Sequence, residues 1–206
     1  MLVLASHNPN KTKVLKAVLT DENIPSVTAG ELNLIEPEET GSTLLSNATL
    51  KALSAASATG KMALADDSGL CIPVLDGAPG VYTADWSYTK GGRDWRVAME
   101  RIHGEVYKKG ADFPVAGAFV ATLVLAWPDG RTRVFTGEQS GNVVWPPQGG
   151  GFALDPIFQP LGATKTLGLM EHSEAENYNH RAKVTRRVAQ WIKSHCPIPT
   201  NETSHA

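Results

Sequence analysis

An apolar run, Ala63-Leu64-Ala65, leads directly into Asp66-Asp67-Ser68-Gly69. Two adjacent carboxylates at the end of a buried strand are costly unless a cation or water compensates them. One arrangement that meets this condition is a solvated Asp-Asp-Ser-Gly turn. The other is a site for a hard divalent cation, Mg²⁺ or Mn²⁺, bound by oxygen ligands at the carboxyl end of the strand.

The rest of the chain supplies strands and helices around this point. Leu2-Val3-Leu4-Ala5 reads as a buried strand that stops at the polar loop Ser6-His7-Asn8-Pro9-Asn10-Lys11. Val14, Leu15, Val18 and Leu19 recur at helical spacing until Ile24-Pro25. Ser42 or Thr43 is placed to cap a second helix, whose apolar stripe Leu44, Ala48, Ala52 and Ala55 runs to Gly60. Gly77-Ala78-Pro79-Gly80 marks a tight turn. Trp95 to Ile102 reads as an amphipathic helix stopped by Gly104. Phe113 to Trp127 and Arg131 to Gly137 form the arms of a hairpin joined at Pro128-Asp129-Gly130. A last helix is expected over 179–194, with a frayed polar tail at 197–206. Strand–helix units, then a meander, then a closing helix give an α/β fold with a mixed sheet. Residues 1–196 fit a single domain.

Composition excludes several classes of function. Nineteen Lys+Arg against 21 Asp+Glu give a net charge of −2, without the basic excess of a nucleic-acid or membrane-surface binder. The most apolar stretch, Phe119 to Trp127, is far shorter than the roughly 20 residues of a membrane helix. Two cysteines, Cys71 and Cys196, make neither a disulfide framework nor a zinc site and fit a reducing compartment. A cytoplasmic protein is expected.

Three further clusters carry possible chemistry. Glu39, in the acidic loop Glu36-Pro37-Glu38-Glu39-Thr40-Gly41, is either solvated or a second carboxylate for a cation. The loop from Ser6 to Lys11 has no glycine and is not a P-loop. It either caps the following helix or presents Ser6, Asn8, Lys11 and backbone N–H groups to a phosphate. Gly151-Phe152-Ala153-Leu154-Asp155-Pro156 and Asn179-His180-Arg181 suit a planar base and its carbonyl or phosphate oxygens. Taken singly, a core Phe152, a turn at Asp155-Pro156 and Asn179 as a helix cap explain the same residues.

Their order adds what the single motifs lack. Leu-Ala-Ser-His-Asn-Pro-Asn-Lys at 4–11, Glu39-Thr40-Gly41, Asn47-Ala48, Leu64-Ala65-Asp66-Asp67-Ser68-Gly69-Leu70, Gly77-Ala78-Pro79-Gly80-Val81-Tyr82, Gly151-Phe152 and His180-Arg181 occur in series. Over residues 2–192 the series resembles the inosine triphosphate pyrophosphatase family, house-cleaning enzymes for dITP, ITP and XTP. The resemblance implies a two-lobed α/β fold, with a long mixed β-sheet flanked by helices, a central substrate cleft and a homodimer. It implies Mg²⁺-dependent hydrolysis of a nucleoside triphosphate to the monophosphate and pyrophosphate. It also implies a role for each matched residue. Ser6, Asn8, Lys11 and Ser68 fall on phosphate contacts, and Glu39 and Asp67 on metal positions with Asp66 beside them. Asp67 falls on the proton acceptor as well. Phe152, Leu154, Asp155, Asn179, His180 and Arg181 fall on the base pocket.

The chain also departs from that family's pattern. An acidic residue after the loop lysine is replaced by Val14, and the Glu before Asn-Ala by Ser46. The Gly-aromatic pair after the pocket Phe is Ala153-Leu154, a Lys is replaced by Ala175, and a Ser by Asn179. Tyr82-Thr83-Ala84-Asp85 stands where the family commonly has Tyr-Ser-Ala-Arg, and an Arg is missing near Ala116. These changes fall more heavily on the base than on the phosphate side. Hydrolysis of a different modified nucleotide, and a non-catalytic nucleotide sensor, are the alternatives they raise.

Overall fold

The computed structural model describes residues 1–196; the expected tail, 197–206, lies outside them. β1 (Leu2–Leu4) leads into α1 (Pro9–Asp21), β2 (Ser26–Thr28), α2 (Leu44–Thr59) and β3 (Ala63–Cys71). A small hairpin of β4 (Tyr88–Thr89) and β5 (Gly92–Arg93) precedes α3 (Trp95–Lys108). The long arms β6 (Val115–Ala126) and β7 (Thr132–Val143) follow, then β8 (Phe158–Pro160), α4 (His172–Ala175) and α5 (His180–His195). The main sheet has six strands in the order β2-β1-β3-β6-β7-β8. β1 is parallel to β2 and β3, and the other pairs are antiparallel, so the sheet is mixed as expected.

Local chemistry sets the helix ends. Asn8 caps α1 by accepting from the N–H groups of Asn10 and Lys11, with Pro9 in the first turn. Thr43 and Ser46 close a reciprocal capping box on α2, which ends at Gly60 in the left-handed region.

Three sequence expectations are corrected. Asp66-Asp67-Ser68-Gly69 is not a turn at the strand's end: β3 runs on to Cys71, paired with β6 from Ala63↔Ala126 to Cys71↔Ala118. α3 continues through Gly104 to Lys108, because Ala98, Met99, Ile102 and Val106 extend one buried stripe past it. A helical glycine costs only about 1 kcal/mol, less than that stripe gains. The second hairpin arm likewise reaches Val143 rather than Gly137, held by its register with β6.

The sheet is buried on both faces. Along β3, Leu64 joins the core beneath α1 and α5 with Leu2, Leu4, Leu15 and Val184. Ala63 and Ala65 join the opposite core with Val3, Ala48 and Ala52, beneath α2. This alternation, the period of two of any strand, decides where the next two residues point. β1 pairs with β3 only at Ala63 and Leu64, so beyond that point the β1 side of β3 is open. The loop from Ser6 to Asn8 departs there. No helix among the described residues is long and apolar enough to cross a membrane.

Candidate active site

Asp66 follows Leu64 toward the α5 face. It is completely buried, and its Oδ2 accepts from Arg181 Nε at 2.7 Å while Ser68 Oγ donates to Oδ1. Burial opposes ionisation of Asp66, but Arg181 and Lys11 outweigh it and hold the carboxyl well below the usual carboxylate range.

Asp67 follows Ala65 toward α2. There Lys51 Nζ lies 3.3 Å from Asp67 Oδ1 and 2.7 Å from Glu39 Oε1, bridging the two carboxylates. Lys11, at the start of α1, stands between the two faces, with Nζ 3.7 Å from Asp66 Oδ2 and 3.5 Å from Asp67 Oδ1. Burial raises the Asp67 carboxyl above its ordinary value despite these lysines, whereas Asp67 and Glu39 raise the Lys51 ammonium although its own burial lowers it. A carboxylate poised for protonation beside a permanently charged lysine suits proton transfer.

The backbone around these groups is tightly held. Asn47 Oδ1 accepts from Gly41 N at 2.8 Å and its Nδ2 donates to Glu39, fixing the acidic loop against α2. A Cβ on Gly69 would lie 2.0 Å from the Gly80 carbonyl oxygen. The Gly77–Gly80 turn therefore packs directly on β3, where Thr83 Oγ1 accepts from Leu70 N and donates to Gly80 O.

Lys51 was missed in the sequence, although a signal existed. A lysine between Ala48 and Ala55 on the apolar stripe of α2 is a buried charge that requires partners. Lys51 also borders a cavity of about 300 Å³ between α2 and the 29–37 segment.

Of the expected metal residues, Asp66 is sent by strand alternation to the face opposite Asp67, where it pairs with Arg181, Lys11 and Ser68. Glu39 and Asp67 remain together. Asp67 Oδ2 is buried and has no hydrogen-bond partner. An orphaned carboxylate oxygen beside a second carboxylate fits a hard divalent ion completed by phosphate oxygens and water.

Ser6 and Asn8 form the loop that enters α1, with Ser6 Oγ accepting from Asn8 N at 3.2 Å and Asn8 Oδ1 capping the helix. The base residues divide. Phe152 is 53% exposed, and Asp155 Oδ2 accepts from its N–H at 2.8 Å. Leu154 does not reach a ligand: its side chain is fully buried with Leu70, Ile157 and Phe158. Asn179 is the N-cap of α5, its Oδ1 accepting from Ala182 N at 3.0 Å. His180 stacks on Phe119 with rings 5.7 Å apart and 6° from parallel. Its Nε2 is buried without a partner, and burial together with Arg181 lowers its pKa to about 4. The imidazole is therefore neutral at pH 7. Asp155 moves the other way, pushed up to about 6 by burial and only partly offset by the Phe152 N–H.

These two groups predict opposing pH dependences of stability. His180 contributes stability above pH 6.5 that is lost as pH falls toward about 4, on the order of 3 kcal/mol. Asp155 contributes stability at low pH that is lost as pH rises from 3.8 to about 6, of similar size, on the order of 3 kcal/mol. Asp155→Asn removes only the second effect. Denaturant midpoints at pH 4.5 and 6.5 should therefore differ more in that variant than in the parent, with the variant relatively weaker in acid.

Comparison with known proteins agrees with this architecture. The Ham1 family model matches residues 2–191. A dITP/XTP pyrophosphatase of Ruegeria pomeroyi is 47% identical over 193 residues, 93% of each chain. One from Gluconobacter oxydans is 48% identical over 186 residues, 88% of this chain and 86% of that one. Among solved structures, a HAM1 protein from Coxiella burnetii superposes with a TM-score of 0.84 at 28% identity, covering 94% of this chain and 98% of the other. A nucleoside-triphosphatase / dITP/XTP pyrophosphatase from Mycobacterium abscessus gives 0.71 at 30% identity, covering 96% and 99%. Family match, relatives and fold agree, and the chain belongs to the Ham1 family.

Proposed function

We propose that the protein hydrolyses non-standard purine nucleoside triphosphates of the dITP, ITP and XTP kind to the monophosphate and pyrophosphate. The observation that carries this reading is the buried Asp67 carboxylate, with one oxygen on Lys51 and Lys11 and the other unpartnered, beside Glu39. Glu39 and Asp67 would hold Mg²⁺, or Mn²⁺ in its place. When bound, the ion supplies positive charge that lowers repulsion between the attacking oxygen and the polyphosphate.

The chain's own residues account for the rest. Asp67 orients a water molecule and takes its proton as the water oxygen bonds to the α-phosphorus. The bond from that phosphorus to the bridging oxygen breaks, and its electron pair leaves with pyrophosphate. Lys11 lies next to the Ser6–Asn8 loop, where its charge opposes the negative charge growing on the leaving group. Lys51 keeps Asp67 ionised against its burial. Arg181 fixes Asp66 and, next to the neutral His180, brings donors toward the nucleoside end. A homodimer is part of the same reading.

Pyrophosphate release, measured with magnesium over a panel of inosine, xanthosine, standard and modified triphosphates, tests the proposal. ITP, dITP and XTP should be turned over faster than the standard nucleotides. The buried Leu154 favours one second reading, a shifted base preference, which predicts rapid turnover of another modified nucleotide with negligible ITP and XTP hydrolysis. Tight binding without product from any member of the panel would instead indicate a sensor and overturn the enzymatic reading.

A further inference from the structure

Trp95 stands opposite Phe152, far from it in sequence, with ring centroids 6.3 Å apart and planes inclined at 54°. The two rings are held differently. Trp95 opens α3 and packs against the core formed by Leu70, Ile102 and Leu154. Arg93 lies over it, 5.6 Å from the ring, and donates to the Tyr88 hydroxyl at 2.7 Å. Phe152 is half exposed and sits in a loop where Gly149, Gly151 and Ala153 all have positive φ. One face is thus anchored and the other is carried on a loop of special backbone conformation.

The pair shares a core with residues that border the site described above. Phe119, which stacks on His180, packs against the same core as Trp95, and so does Leu70, three residues beyond Asp67. A planar ring inserted between two aromatic faces needs a separation of about 7 Å, close to the upper end of aromatic contact distances. At 6.3 Å and 54° the two rings touch each other, so they must part and turn toward parallel to admit a base. Leu154 cannot provide the second face, since it is wholly buried.

We propose that Trp95 is a specificity-determining residue whose indole forms the core-anchored face of a base clamp, with Phe152 as its exposed face. The clamp takes a flat, bicyclic heteroaromatic base, which offers more stacking area than a single ring. This inference rests on the nucleotide-hydrolase reading above, and it assigns to Trp95 the stacking face that position 154 lacks.

Steady-state kinetics with ITP and with a pyrimidine triphosphate test it. Base–aromatic stacking predicts that Trp95→Ala raises KM for ITP by about 10- to 100-fold with kcat little changed, and narrows the purine-over-pyrimidine preference. Trp95→Phe should restore most of the loss. If Trp95→Ala does not fold, Trp95→Leu, which keeps an apolar contact with the core but has no ring face, carries the same expectation. An unchanged KM for ITP in a folded Trp95→Ala or Trp95→Leu protein overturns the clamp while leaving the hydrolase reading intact. So does an equal loss in Trp95→Phe, which would mark a packing role. Absence of turnover by the unaltered protein on every triphosphate defeats the hydrolase reading, and the clamp with it.

Discussion

Asp67→Asn should lower pyrophosphate release by about a thousandfold while leaving the protein folded. The substitution keeps the shape of the side chain and removes its charge and its capacity to take a proton. General-base catalysis accounts for about 10²- to 10⁴-fold, and loss of a carboxylate ligand to a hard cation acts in the same direction. The fold should survive, because Asp67 lies within β3, whose ladder to β6 is made by backbone groups that the change does not touch. Lys51 also keeps Glu39 as a partner. Stopped pyrophosphate-release assays beside a circular-dichroism melt separate the two effects. Turnover within a few-fold of the parent would show that the proton goes elsewhere.

Replacing Lys51 with Met is the second large change, and it acts on stability and chemistry together. Lys51 is 5% exposed and bridges Glu39 and Asp67. Removing one member of a buried ionic group leaves the others uncompensated, which typically costs about 3–5 kcal/mol. Part of that cost is relieved if Asp67 takes up a proton, since burial already favours its neutral form. Lys51 opposes that tendency in the parent, so its loss raises the Asp67 pKa further and moves the acid limb of the pH–rate profile to higher pH. Denaturant unfolding gives the stability term. Activity across pH 5–9 gives the shift, and an unmoved acid limb would show that Lys51 does not govern the ionisation of Asp67.

The phosphate side of the site was far more legible in the sequence than the base side. Ser6, Asn8, Lys11 and Glu39 lie in polar segments, and Asp67 follows an apolar run, so residue type and order single them out as candidates. In the structure a buried lysine, Lys51, bridges Glu39 and Asp67, and Lys11 reaches the same Asp67 oxygen. That lysine escaped notice because one charge on an alanine-rich helix face has no pattern of its own until its partners are known. The separation of Asp66 from Asp67 is hidden for a different reason: the apolar run Ala63-Leu64-Ala65 does not reveal that the strand continues to Cys71, and only a continuing strand puts adjacent acids on opposite faces.

The base side depends on details that residue spacing does not encode. Ala153 has a φ of 55°, and the turn it makes leaves Phe152 exposed while Leu154 goes into the core. Asn179 is held by a helix cap. Trp95 meets Phe152 only through tertiary packing. Among the departures noted in the sequence, Ser46 also has a structural explanation, because its hydroxyl completes the capping box of α2.

The alternation that sends Asp66 to Arg181 and Asp67 to Lys51 restricts how related chains can change in length. A one-residue insertion or deletion between Ala63 and Asp67 would exchange the two acids between the faces, giving each the other's cation and directing the wrong carboxylate toward Glu39. Insertions and deletions inherited in this lineage are therefore expected to accumulate in the outer connections, while the spacing from the first apolar residue of this strand to its second acid stays constant.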